Sequence, residues 1–155
     1  MKHRLIGLLA FLLLIPATAA VADNGLVTKA SAYSSKATLD RLEKALTKRG
    51  FMIFAHLDHQ AAAKSKDIDM PFSTVLVFGN PKIGTPGFIR KPQLAIDLPL
   101  KALVWEDKAG KVWLSYNSGT YMHQTIYARH DAPFKAKVTK MINKRFGAIT
   151  DEVVK

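Results

Sequence analysis

Apolar side chains recur at helical spacing in the N-terminal third of the chain, which predicts a helix over residues 36–49. The apolar positions of this helix are Leu39, Leu42, Ala45 and Leu46. Ser34 or Ser35 can cap its start, and Gly50 suits the left-handed residue that commonly follows a helix. A second helical stretch is predicted after Gly119. Its apolar stripe is formed by Phe134, Val138, Met141 and Ile142.

Five other segments are rich in β-formers or alternate between apolar and polar side chains, which predicts strands. These segments are residues 26–33, 51–58, 74–78, 98–106 and 111–116. The last two are joined by Asp107-Lys108-Ala109-Gly110, a typical hairpin connection. The order β-α-β-β-β-β-α predicts an α+β fold with one mainly antiparallel sheet and the helices on one of its faces.

Both faces of the predicted sheet carry apolar side chains. Because side chains alternate along a strand, residues 51–58 divide into two sets. One set is Phe51, Ile53, Ala55 and Leu57, and the other is Met52, Phe54, His56 and Asp58. The second face then presents Phe54, Leu103, Trp105 and Trp113 instead of polar residues. We therefore expect this face to be covered by a second copy, a ligand or the long loop.

The first 22 residues have the features of a cleavable signal peptide. Lys2 and Arg4 give a positive start, an apolar run follows over residues 5–15, and Ala20-Val21-Ala22 supplies a cleavage pattern. The run is far shorter than the roughly 20 residues that a membrane-crossing helix needs. We expect residues 1–22 to be removed. Residues 23–155 would then form one periplasmic or secreted domain without a transmembrane segment.

Composition narrows the chemistry. The chain has no cysteine, which excludes disulfides, thiol catalysis and thiolate metal ligands. The formal net charge is +11, or +9 without Lys2 and Arg4, and this suggests acidic partners, anionic ligands or an anionic membrane. The lysines are scattered, and no Arg-rich block interleaves with aromatic residues, so nucleic acid is not an expected partner.

Four blocks of sequence occur in the order found in one known family. They are residues 75–86, from Val-Leu-Val-Phe-Gly-Asn-Pro to Gly-Thr-Pro, residues 95–107, Leu57-Asp58-His59 and Ala128-Arg129-His130. In these blocks the chain resembles the family catalogued as domain of unknown function 302. The resemblance implies a two-layer β-α-β(4)-α fold, similar in outline to the TATA-binding-protein fold, and a homodimer. It implies no activity, because the family name assigns none.

His56, Asp58 and His59 are the candidate metal ligands. Two imidazoles and a carboxylate suit zinc, copper or iron, so a transition metal is a candidate cofactor. The alternative is structural: His56 packs on the second face of the sheet, and Asp58-His59 caps a short helix over residues 61–66.

The segment of residues 80–91 holds two Pro and two Gly and is predicted to be a shaped loop. It contributes to a candidate site for a small anionic ligand. The candidate ligand-binding residues are Asn80, Lys82, Thr85, Lys101 and Trp105. Turn amides with one Lys and one Thr hydroxyl can hold an anionic oxygen, and Lys101 could attract the same anion near Trp105. The alternative is a rigid turn with no ligand.

Evidence for catalysis is thin, because the serines lie in no Gly-x-Ser-x-Gly motif and there is no thiol, so an enzyme is disfavoured. The first hypothesis for function is a ligand-binding or accessory module of the cell envelope. The second is a metal-dependent protein or enzyme that uses the candidate metal ligands. The third is a structural partner whose basic helix over residues 134–146 meets an acidic envelope protein or a membrane. The alternative for that helix is a solvated face on a core-packed helix.

Overall fold

In the computed structural model of the chain, which describes residues 24–155, five strands form one sheet. The strands are β1 (Leu26–Ala30), β2 (Met52–Asp58), β3 (Ser73–Gly79), β4 (Leu100–Glu106) and β5 (Val112–Asn117). Their order across the sheet is β1-β5-β4-β3-β2, and every neighbouring pair is antiparallel. The predicted signal peptide lies outside the described residues.

Helices connect the strands and form the second layer. They are α1 (Ser35–Thr47), α2 (His59–Lys64), α3 (Pro81–Arg90), a 3-10 helix (Pro92–Ile96), α4 (Gly119–Tyr121), a π-helix that continues α4 (Met122–Tyr127), and α5 (Ala136–Val154). The two long helices, α1 and α5, pack against each other and against the same face of the sheet. The predicted α+β class, with a mainly antiparallel sheet, is confirmed. No helix among residues 24–155 combines the length and the apolar character needed to cross a bilayer.

The core lies between the sheet and these two helices. On the sheet side, Leu76, Val104 and Leu114 are completely buried. Leu46 of α1 and Val153 of α5 meet them from the helix side. Burying each side chain of this size contributes about 1.5–3 kcal/mol to the stability of the fold. The core that these side chains form lies on one side of the sheet.

Helix α1 follows the sequence pattern closely. The side chain of Ser34 accepts a hydrogen bond from the backbone N–H of Ala37, as expected of an N-cap. Gly50 adopts a φ of 79°, which is the left-handed conformation predicted for the residue after this helix. The neighbouring Ser35 has another role, because its hydroxyl donates to the carboxylate of Glu106 on β4.

Helix α5 differs from its prediction in where it is buried. The expected stripe included Met141, but this side chain is 52% exposed. The helix starts at Ala136 and runs to Val154, and its fully buried positions lie in the C-terminal half. These positions are Ile149, Thr150, Val153 and Val154. The expected stripe was drawn on the N-terminal half alone, whereas the C-terminal half makes the deepest contact with the sheet.

The segment predicted as a shaped loop contains a ten-residue helix, α3. The Asn80 side chain accepts a hydrogen bond from the backbone N–H of Lys82 at 3.0 Å, and Pro81 occupies the first turn, where its fixed φ favours a helix. Pro86 lies inside the helix. Helix α3 packs mainly against the 3-10 helix that follows it. Helix α3 therefore lies beyond the end of β3 and does not cover a face of the sheet.

A bulge in β2 overturns the predicted alternation of residues 51–58. Ile53 pairs with Phe78, but the next ladder pair is Ala55 with Val77, so Phe54 is an extra residue. Beyond it, every side chain changes face. The helix-covered face receives Phe51, Ile53, His56 and Asp58, and the other face receives Met52, Phe54, Ala55 and Leu57. The prediction that His56 and Asp58 lie on the second face is therefore wrong.

Candidate functional site: the open face of the sheet

The face of the sheet that points away from α1 and α5 is the candidate functional site, and we call it the open face. Its residues alternate with the buried core positions of the same strands. They are Leu26, Thr28, Met52, Phe54, Ala55, Leu57, Val75, Val77, Lys101, Leu103, Trp105, Trp113, Ser115 and Asn117. The predicted members Phe54, Leu103, Trp105 and Trp113 do lie there.

Large apolar side chains on the open face remain in contact with solvent. Leu26 at one edge is 50% exposed. At the other edge Met52 is 52% exposed, Phe54 50% and Leu57 47%. The Phe54 ring fits over Gly79, where an added Cβ would come within 3.0 Å of the ring. A side chain at position 79 would thus push this ring off the sheet.

Two tryptophans lie at the hairpin end of the open face, on β4 and β5. Trp105 and Trp113 face each other across β4 and β5 and stack with ring centroids 6.1 Å apart and an angle of 22° between the rings. The indole N–H of Trp105 donates to Ser115 Oγ at 3.0 Å. The indole N–H of Trp113 donates to Asp107 Oδ2 at 2.9 Å. Because both polar atoms have partners, the rings are held in place as a preformed apolar platform.

At the end of the open face next to Trp105 and Trp113, the charged side chains belong to the β4–β5 hairpin. The indole N–H of Trp113 lowers the pKa of Asp107, and the backbone N–H of Lys111 lowers it further. Lys111 Nζ lies 4.3 Å from the centre of the Trp113 ring, a cation–π contact. The hairpin therefore presents an ionised carboxylate beside an aromatic platform.

A depression of about 270 Å³ lies at the other end of the open face. Its lining includes Leu26, Thr28, Val75, Lys101, Leu103, Trp105, Ser115 and Asn117. Lys101 is the one charged side chain among the described residues that line it. Its ammonium group donates to the backbone oxygens of Asp97 and Pro99 at 3.3 and 3.4 Å. The depression thus combines apolar walls with a single cation at its rim.

The structure separates the residues predicted to bind a small anion. Lys101 and Trp105 line the same depression. Asn80 instead caps α3 and donates from Nδ2 to the backbone oxygen of Gly50 at 3.0 Å. Lys82 and Thr85 are exposed on α3 and do not line the depression. Anion binding by Lys101 and Trp105 stays a prediction, whereas a single cradle made of all five residues has no support in the geometry.

The three candidate metal ligands have other partners. His56 Nε2 lies 2.9 Å from Glu43 Oε2 on α1. The Asp58 side chain accepts from the backbone N–H of Ala61 at 2.9 Å and caps α2, of which His59 is the first residue. Within residues 24–155, no group of three or more His, Cys, Asp or Glu side chains could hold a metal ion. Metal binding by these residues stays a prediction without a preformed site.

Sequence reasoning missed the ionic contact between Asp97 and His130. His130 Nε2 lies 2.6 Å from Asp97 Oδ2, and Arg129 approaches the same carboxylate at 3.2 Å. The hydrogen bond with His130 is the main reason that the pKa of Asp97 is lowered. The His130 side chain is only 7% exposed, and the nearby cavity, which Asp97 helps to line, measures about 30 Å³, which is room for a single water.

This Asp97–His130 pair links two distant parts of the chain. Asp97 ends the 3-10 helix before β4, and His130 follows the π-helix. A His–Asp pair can orient an imidazole for proton transfer, but the near-complete burial of His130 leaves no room for a substrate beside it. The block Ala128-Arg129-His130, which carries part of the family resemblance, was the feature in the sequence that pointed to this position. We infer that the pair fastens the entry of β4 to the helical layer.

Comparison with family models gives a match over most of the chain. The model described as "Domain of unknown function DUF302" matches residues 27–149. A crystal structure of an uncharacterised conserved DUF302 protein from Bacillus stearothermophilus superposes with a TM-score of 0.70 and 19% sequence identity. The alignment covers 84% of this chain and 98% of that protein. At this identity the likeness establishes the fold alone.

Curated relatives are named as fluoride-specific ion channels. Fluoride-specific ion channel FluC 1 of Brucella suis biovar 1 (strain 1330) is 36% identical over 126 residues, which are 80% of this chain and 50% of the relative. Fluoride-specific ion channel FluC 2 of Brucella melitensis biotype 1 (strain ATCC 23456) is also 36% identical over 126 residues, with 80% and 47% covered. The chain spans about half the length of these curated relatives.

Proposed function

This chain belongs to the DUF302 family, and from this premise we propose that it is an exported binding or accessory module of the cell envelope that works as a homodimer through its open face. One observation carries the proposal: an aromatic and aliphatic sheet face is left uncovered, with four large side chains about half exposed. Large exposed apolar patches on a protein of this size usually mark interaction surfaces. We propose binding rather than catalysis because, among residues 24–155, Lys101 is the one charged side chain that lines the depression.

The size of the open face supports a macromolecular partner. Five strands spaced by about 4.8 Å, with about six residues each at roughly 3.4 Å, give a face of about 24 by 20 Å. A footprint of roughly 480 Å² is comparable to the largest apolar patches on monomers, which are often functional. Two such faces can pack about 10 Å apart, as the sheets of a β-sandwich do.

The charges of the open face support a second copy as that partner. Lys101 stands at one end of β4 and Asp107 just beyond the other, about 20 Å away along the strand. A twofold axis that crosses the strands near Val104 would bring Lys101 of each copy to the hairpin of the other, where Asp107 is the acid and Lys111 already contacts the Trp113 ring. Such an isologous interface pairs unlike ends of one surface, so a single face can be complementary to itself.

The curated relatives support an accessory role at an envelope. They are named as fluoride-specific ion channels and are about twice as long as the part that matches this chain. Since no helix among residues 24–155 could cross a membrane, the shared part fits an accessory domain better than an ion-conducting one. The predicted signal peptide supports a periplasmic or secreted location for the present chain.

Light scattering during size-exclusion chromatography tests the homodimer. We expect the parent chain to elute with the mass of a dimer and Leu103→Lys to be a monomer. An unpaired charge buried in an interface costs about 3–5 kcal/mol, so the dissociation constant should rise by about a hundredfold or more. Met141→Lys is the control, because it introduces the same charge at an exposed apolar residue on α5, in the other layer. It should remain a dimer.

Tryptophan emission provides an independent measurement. The chain has two tryptophans, and both lie on the open face, so dimer formation should shift their emission to the blue as protein concentration rises. A monomeric parent chain with emission independent of concentration would overturn the dimer. If short carboxylic acids then shifted the emission, the open face would be a ligand site instead, with Lys101 as its cation.

A further inference from the structure

Helix α5 carries a continuous exposed stripe of cations on the side opposite the core. The basic stripe consists of Lys137, Lys140, Met141, Lys144 and Arg145, all of them exposed. Their spacing of three, four, seven and eight residues from Lys137 places them on one side of the helix. We propose that the basic stripe docks this chain on an anionic membrane surface. The stripe lies in the helical layer, so this inference goes beyond the proposed use of the open face.

The charges of the basic stripe are not neutralised within the fold. None of its four cations forms an ion pair with a carboxylate of residues 24–155. No Asp or Glu occurs from residue 132 to residue 150. The two acids near the end of α5 behave differently. Asp151 pairs with Lys29 at 2.8 Å, and Glu152 pairs with Arg49 at 2.5 Å. The helix thus pairs its acids and leaves its lysines available.

The shape of the stripe favours a membrane over an acidic protein. Its eight-residue span covers about 12 Å along a helix, and a straight row of cations matches a plane of lipid phosphates. Met141, which is 52% exposed, lies among the cations. Its side chain cannot donate a hydrogen bond to an acidic protein. The apolar face of α5 packs on the sheet, so Met141 adds one small apolar contact and the attraction to the membrane rests on the cations. The relatives named as ion channels are membrane proteins, which is consistent with a shared domain near a bilayer.

Vesicle flotation tests the proposal with the full chain. Vesicles of phosphatidylcholine are compared with vesicles that also contain phosphatidylglycerol, and the ratio of the two affinities is measured. We expect the ratio to favour phosphatidylglycerol and to fall as salt rises from about 0.1 M to about 1 M, because the Debye length falls from about 10 Å to about 3 Å. Any contribution of residues 1–22 is the same in every variant and cancels in comparisons among them.

Two double variants with the same change in net charge locate the contact. Lys140→Gln/Lys144→Gln should lower the ratio by about tenfold or more, since each cation near an anionic surface contributes roughly a fivefold factor. Lys64→Gln/Lys66→Gln removes two exposed lysines outside the stripe and should leave the ratio within about twofold. Met141→Ser should weaken binding a fewfold at both salt concentrations, because the loss of apolar contact is not screened by salt.

Each other outcome overturns the proposal. Equal losses in the two double variants would show attraction by net charge alone. No preference for phosphatidylglycerol would exclude the membrane. Capture by a polyglutamate peptide without vesicle binding would assign the stripe to an acidic protein instead. The dimer measurement is independent of these results, because Lys140→Gln/Lys144→Gln leaves the open face intact.

Discussion

The two faces of the sheet are built from the same strands and are similarly apolar, yet they differ in cover. On the helix-covered face, Leu76 and Leu114 are completely buried. On the open face, their neighbours Val75 and Trp113 remain partly accessible. Residues 24–155 supply one layer of helices, which is enough for one face. The alternation of side chains along the strands shows that both faces are apolar. Only the packing of the helices on the sheet shows which face the chain itself buries.

Polar groups on the two faces are satisfied in different ways. On the helix-covered face, Lys29 Nζ reaches across the layers to Thr150 Oγ1 at 2.7 Å and Asp151 Oδ1 at 2.8 Å. On the open face, Thr28 Oγ1 and Ser115 Oγ bond to each other within the sheet at 2.9 Å. These hydroxyls therefore need no outside partner, so the open face is suited to apolar contact.

The largest expected difference between the faces is in core stability. Leu114→Ala on the helix-covered face should lower the free energy of unfolding by about 2–5 kcal/mol, because it leaves a cavity that the rigid layer cannot fill. Leu103→Ala, on the open face of the adjacent strand, should cost less than about 1.5 kcal/mol in dilute protein, since the side chain is already partly solvated. Urea unfolding measures both.

Protein concentration sharpens this test. If a second copy covers the open face, the cost of Leu103→Ala should grow as concentration rises, while the cost of Leu114→Ala should not. Equal costs for the two variants in dilute protein would contradict the assignment of the open face.

Two glycines give a smaller contrast. A Cβ at Gly119 would lie 2.9 Å from Ile142 Cγ2 and 3.0 Å from Asn143 Oδ1, both on α5. Gly119→Ala should therefore cost about 1–3 kcal/mol, because the helical layer must move. Gly79→Ala meets the Phe54 ring at 3.0 Å on the open face, where a half-exposed ring can turn aside, so its cost should stay below about 1 kcal/mol. Thermal unfolding of both variants checks the order, and a larger loss for Gly79→Ala would show that the open face is packed.

Two carboxylates give the smallest contrast, in their response to acid. The pKa of Asp97 is lowered by His130 at the helical layer, and that of Asp107 by Trp113 on the open face. Each folded-state pKa lies below the unfolded value of about 3.9, so each carboxylate stabilises the fold fully above about pH 4. This stabilisation is lost as pH falls through the lower folded-state pKa. The free energy of unfolding, measured by urea above and below about pH 4, should fall on the acid side.

Asparagine variants separate the two carboxylates. Asp97→Asn and Asp107→Asn should each reduce the acid dependence of stability, because neither amide titrates. We also expect tryptophan emission to change on acidification, because protonation of Asp107 alters the acceptor of the Trp113 indole N–H. Only Asp107→Asn should remove this change. An emission change that persists in Asp107→Asn would exclude this hydrogen bond as its source.

The sequence by itself determined the local elements. Alternation in β4 and β5 assigned Leu103, Trp105 and Trp113 to one shared face of the sheet, because backbone pleating fixes which side chains share a face. The limits of α1 followed from Ser34 and Gly50, whose roles depend on the residues next to them. The family blocks indicated the fold because they extend over most of the chain.

Tertiary structure alone decided the features that depend on pairing between distant residues. The bulge at Phe54 is set by the register with β3, and it moved His56 and Asp58 together from the predicted second face to the helix-covered face. The Asp97–His130 contact joins residues 33 positions apart in sequence. The long core-facing half of α5, and hence the exposure of Met141, follow from how the helix lies on the sheet. Periodicity is a property of the local backbone, whereas register and docking depend on contact energies summed across the whole fold.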